Sequence, residues 1–154
     1  MTAALNILVY AVPYAAYPLT DHEAYLRRIF STKDLLLFFD AYPGGPYLGF
    51  FDLPDVPKLA LDAELYRAGT PEAFFTRIDH RIDEALARNG RVVVFGSVLD
   101  PYDWNAPWGQ LPAHGVRKQQ MLAFFQFHYQ VKPLDRLAGI KAWEIQPRDK
   151  STAQ

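Results

Sequence analysis

The sequence predicts an α/β domain in which helices cover both faces of a mostly parallel sheet, and three observations carry that expectation. Short apolar runs at Leu5–Val12, Lys33–Asp40 and Arg91–Gly96 have the length and composition of strands buried on both faces. Segments with helical spacing alternate with strand-like runs as far as residue 96, as parallel crossovers require. Two further strand-like stretches, Val131–Leu137 and Ile140–Gln146, flank Ala138-Gly139, a spacing that suits an antiparallel hairpin at the sheet edge.

The elements follow in order. The lead Thr2–Leu19 carries no charge but is interrupted by Asn6, Pro13 and Pro18. Either Leu5–Val12 is a central strand, or the lead is the trailing end of a membrane helix, although a span needs about 20 apolar residues and fewer precede the first proline. No basic residue precedes the apolar run, which disfavours a cleaved signal peptide. Thr20-Asp21-His22-Glu23 fits a capping box opening a short helix, with Tyr25, Leu26, Ile29 and Phe30 inward. Tyr42-Pro43-Gly44-Gly45-Pro46 ends the run Lys33–Asp40, Tyr47–Phe51 suits one helical turn, and Lys58–Leu61 is a short third strand close to Pro54 and Pro57.

The clearest helix runs from Pro71 to Arg88, with Thr70 as N-cap, Pro71 at the first helical position and Asn89-Gly90 as the stop. Its apolar face is Phe74, Phe75, Ile78, Ile82, Ala85 and Leu86. After the strand Arg91–Gly96 comes a loop of about fifteen residues, Ser97–Leu111, long enough to be a functional segment. Val116–Tyr129 then has helical spacing, with Met121, Leu122, Phe125 and Tyr129 inward. The predicted organisation is an apolar lead at 1–19, a single α/β domain at 20–147 and a polar tail at 148–154. The predicted architecture is Rossmann-like: three layers around a mostly parallel sheet, closed by the C-terminal antiparallel hairpin.

Composition narrows the function classes. Sixteen Lys and Arg face seventeen Asp and Glu with no basic stripe, so nucleic acid is not an expected partner. The absence of cysteine removes disulfides, thiolate metal sites and cysteine nucleophiles. Apolar residues at 50% provide a core, and most of the 23 aromatic side chains must be core or interface.

Most chemical motifs are missing. The turn Pro13–Asp21 lacks the glycines a dinucleotide site needs, and no P-loop occurs, so no cofactor is expected. Asp40 ends a strand, where its simplest role is to start a turn, and Gly44-Gly45 reads first as chain punctuation. His22, His80, His114 and His128 lie on different elements without metal-ligand spacing, so no metal site is expected. Asp79 and Asp83, with Arg77 and Arg81 beside them, read as a solvated helix face. Ser97 lies outside any GxSxG elbow.

One cluster stands out. Asp100, Tyr102, Asp103, Trp104 and Trp108 follow a central strand, where open α/β sheets place ligands. Aromatic faces beside Asp and Asn105 suit a sugar, and Tyr42, just after the run Lys33–Asp40, completes the set. The competing reading has Trp104 and Trp108 plugging the core or meeting another domain.

The order of TAALNILVY, KDLLLFFDAYPGGPYLGFF, the helix ending ARNG, RVVVFGSVLDP and YQVKPLDRLAGIKAWEIQP resembles the soluble C-terminal tail of bacterial multi-spanning glycosyltransferase-like membrane proteins. The resemblance implies a non-catalytic accessory domain on the extracytoplasmic face, attached to a membrane-embedded parent and binding or positioning a carbohydrate or lipid-linked sugar. Two alternatives stay open from the residues themselves: a free-standing enzyme pairing Asp40 with Asp100 or Asp103 as acid and base, and a protein–protein interaction module built on the aromatic loop.

Overall fold

The computed structural model describes residues 19–38, 53, 55–96, 99, 116–137 and 140–148. Their order is α1 (Leu19–Ile29), β1 (Leu35–Phe38), β2 (Lys58–Ala60), α2 (Leu61–Ala68), α3 (Pro71–Ala87), β3 (Val92–Phe95), α4 (Lys118–His128), β4 (Tyr129–Leu137) and β5 (Ile140–Pro147). The expected strand Leu5–Val12 and helical turn Tyr47–Phe51 lie outside the described residues.

The five strands form one mixed sheet in the order β2-β1-β3-β5-β4. This corrects the expected Rossmann-like three-layer arrangement with a mostly parallel sheet. β1 pairs parallel with β2 and with β3, but β5 is antiparallel to both β3 and β4. The expected hairpin is present, yet its two strands take unequal places: β4 lies one position beyond β5 at the sheet edge, and β5 returns into the gap between β3 and β4. Uniformly apolar β1 and β3 report burial on both faces, and that burial is indifferent to whether a neighbour runs parallel or antiparallel.

Alternation along each strand divides the core in two. Leu35, Leu37, Val92, Val94 and Ile145 point to one face, where Leu61, Leu65, Phe74, Ile78, Ile82, Met121 and Phe125 of α2, α3 and α4 pack on them. Leu36, Phe38, Val93, Phe95 and Ala142 point to the other, against Leu26 of α1 and Phe30, whose ring meets Phe95 edge-on at 6.2 Å.

Local chemistry explains the helices. In α3, Thr70 Oγ1 accepts from the Ala73 amide at 3.2 Å, Pro71 occupies the first turn, and Phe74, Ile78, Ile82 and Ala85 are fully buried. Its end is a Schellman motif: Asn89 adopts the left-handed conformation (φ 56°), its amide donates to Leu86, and the Gly90 amide donates to Ala85. α2 was not expected; Leu61 opens it directly after β2 instead of ending that strand, and Leu61, Leu65 and Ala68 repeat at helical spacing before Gly69 stops it at φ 73°. α1 starts at Leu19, which places Thr20 inside the helix and not at its cap. α4 begins two residues later than expected, and Tyr129, predicted to be helical, opens β4.

A polar fastener joins the starts of β1 and β3. The buried Asp34 carboxylate accepts from the Ser31 amide (2.6 Å), the Ser31 hydroxyl (3.0 Å) and the Arg91 amide (2.6 Å). Arg91 in turn lays its guanidinium 5.5 Å from the Phe30 ring centre and donates through Nε to Glu144 at 2.9 Å.

Candidate functional site

The neighbouring parallel strands β1 and β3, in register from Leu35↔Val92 to Leu37↔Val94, end at one rim of the sheet. The strands that follow them in the chain lie on opposite sides of the pair: β2 beside β1, and β5 with β4 beyond it beside β3. Leu53 and Val56, just ahead of β2, are buried in the core on the α1 face. After β3 the chain turns at Gly96 (φ 86°), and Leu99 and then Val116 are buried in the core on the opposite face. The strand order therefore reverses between β1 and β3, and open α/β sheets hold ligands beyond the strand ends at such a reversal.

All the sequence-predicted contacts belong to these two connections. Tyr42 follows Phe38 by four residues, Asp100 directly follows Leu99, and Tyr102, Asp103, Trp104 and Trp108 stand between Leu99 and Val116 in the chain. These six residues, with Asp40 and Asn105, lie outside the described residues. The structure therefore defines the strand ends and the buried anchors on either side of them.

A second polar cluster was not legible in the sequence. Asp79 and Asp83 are no simple solvated face: the Tyr129 hydroxyl donates to Asp79 Oδ1 at 2.6 Å and lies 3.3 Å from Asp83 Oδ1. His128 Nδ1 is 3.6 Å from the same Asp79 oxygen. Burial, then the Asp79 hydrogen bond and the charges of Asp79 and Asp83, raise the Tyr129 pKa far above the ordinary tyrosine range. A hydroxyl fixed in its protonated form is a donor and not a base, so the cluster clamps the α4–β4 junction to α3.

Of the histidines, His80 is largely exposed beside Glu84, and His128 is half-exposed against Asp79. His114 and the His22 side chain lie outside the described residues. Among the described residues no group of three or more His, Cys, Asp or Glu is placed to hold a metal ion. No described helix is long and apolar enough to cross a membrane.

Comparison of the chain with protein-family models, curated proteins and solved structures finds no match. The functional reading therefore rests on the strand ends and the residues beyond them.

Proposed function

We propose that this chain is a non-catalytic accessory domain that binds or positions a carbohydrate, or the sugar of a lipid-linked donor, for a membrane-embedded glycosyltransferase-like parent. The observation that carries the reading is the reversal of strand order between β1 and β3, with β2 on one side and β5 on the other. Tyr42 and the Asp100–Trp108 segment follow in the chain the two strands that flank this reversal. Indole and phenol rings stack on the apolar faces of a pyranose, and Asp100 and Asp103 accept from its hydroxyls. That combination favours a neutral sugar over a nucleic acid, for which the chain has no basic surplus.

The test is a glycan array followed by calorimetric titration of the best ligand. Replacing Trp104 and Trp108 together by Ala should weaken binding by about tenfold or more, because each lost ring removes a stacking contact. Trp143, packed at the edge of the α2–α4 core, stays in place as a spectroscopic control for the fold. No glycan bound by the wild type, or equal affinity in the double variant, would overturn the reading.

One observation favours a second reading. Asp40 and Asp100 follow the same two strand ends, two residues beyond Phe38 and five beyond Phe95, so the paired-aspartate enzyme uses the same strand ends. It requires carboxyl groups within about 10 Å of each other, so a larger separation in a ligand-bound crystal structure would dismiss it.

A further inference from the structure

Away from the strand ends, β2, α2 and α3 enclose a half-open groove of about 450 Å³, lined by Leu59, Glu64, Arg77, His80, Arg81 and Glu84. Ligand sites commonly occupy roughly 300–1,000 Å³, so the space is large enough for a small organic ion. Its charges are unevenly satisfied. Glu64, buried at the wall, takes a short hydrogen bond from Arg67 Nη1 at 2.6 Å. Arg77 Nε approaches the other Glu64 oxygen only to 3.5 Å. Glu84 is shared between Arg81 Nη1 at 3.6 Å and His80 Nε2 at 3.7 Å.

Three guanidiniums thus meet two carboxylates, and the one short contact commits Glu64 to Arg67. Arg77 and Arg81 stand one turn apart on α3, and their contacts at 3.5 and 3.6 Å are too long for strong hydrogen bonds. A planar guanidinium presents its donors as a fork that matches tetrahedral oxyanions, and two such forks one turn apart can share one anion.

We propose that this groove is an anion site that takes a phosphate monoester, held between Arg77 and Arg81 with the His80 ring at its edge. Leu59 supplies an apolar wall for the ester's organic part. Glu84 opposes the ligand, and that opposition gives the proposal a signature that a merely solvated helix face lacks. The site is independent of the sugar-binding reading, since none of its residues lies on the connections after β1 or β3.

The experiment titrates the full chain with inorganic phosphate, against sodium chloride at equal ionic strength, and follows the arginine Nε–Hε signals by NMR. Saturable shifts at Arg77 and Arg81 with phosphate alone are expected. Arg77→Gln and Arg81→Gln should each weaken binding about fivefold or more, and Glu84→Gln should tighten it severalfold by removing the repelling charge. All three side chains are partly exposed, at 53%, 48% and 38%, so the substitutions should leave the fold intact, which circular dichroism verifies. Linear shifts matched by chloride, or a Glu84→Gln variant that binds no better, would overturn the proposal. Glycerol 3-phosphate and phosphatidic acid vesicles then distinguish the source: tighter binding of the first identifies a soluble ester, and of the second a lipid headgroup.

Discussion

Gly90 illustrates what a single residue can dictate. A Cβ at this position would stand 1.9 Å from the Lys33 carbonyl oxygen and 3.0 Å from that of Ala85, both backbone atoms with nowhere to retreat. Gly90→Ala should therefore cost about 3 kcal/mol or more, measured by urea denaturation; a loss below about 1 kcal/mol would mean that the close approach to Lys33 is absent. Asp34→Ala strands the amides of Ser31 and Arg91 and should cost about 2–4 kcal/mol. Tyr129→Phe should lower stability at neutral pH by about 1–2 kcal/mol. Because the folded pKa of Tyr129 is raised above its unfolded value of about 10, the hydroxyl's contribution is complete below that pH and is lost as pH rises above it. The gap between wild type and Tyr129→Phe should accordingly narrow above about pH 10; a gap unchanged by alkali would contradict the carboxylate clamp. Gly90 was legible as a helix stop, but its tighter constraint was not, since Lys33 reaches it only through the assembled sheet. Asp79 and Asp83 look solvated on a helical wheel, and nothing local announces a tyrosine arriving from β4.

At the scale of elements, α3 was the most legible because its cap, apolar face and stop are all local, and local signals survive without tertiary context. Its neighbour α2 was missed because Leu61 reads as the last residue of a strand, and the helix that it opens has no side-chain cap to announce it. The edge strand β4 carries a device whose meaning emerges only in the pairing. The Gly96 amide donates to the Lys141 carbonyl, so odd-numbered residues of β5 face β3 and even-numbered ones face β4. Gln130, Lys132 and Leu134, opposite Gln146, Glu144 and Ala142, then turn their backbone groups inward, and Pro133 faces the side on which no described strand pairs. A proline there removes a donor from the edge that another chain would otherwise template on. Pro133→Thr should leave the fold intact and promote concentration-dependent association in sedimentation velocity; an unchanged sedimentation coefficient would show that the proline protects nothing.

For the molecule as a whole, the α/β class and the C-terminal hairpin were readable, and the sheet's directionality was not. Apolar runs record how deeply strands are buried, while the insertion of β5 between β3 and β4 depends on where a crossover through α4 deposits the hairpin. β3 is the pivot: it has a parallel neighbour on one side and an antiparallel neighbour on the other, and its end begins the connection that carries the tryptophans Trp104 and Trp108. The candidate site inherits its position from that arrangement. Interstrand NOEs test it most directly. In this register Val93–Glu144 and Phe95–Ala142 are the close, non-hydrogen-bonded pairs of an antiparallel ladder, so both should give strong Hα–Hα cross-peaks. Between β1 and β3 no such Hα–Hα peaks should arise, because that pair is parallel. Missing β3–β5 peaks, or strong Hα–Hα peaks linking β1 to β3, would contradict the sheet on which the proposed site rests.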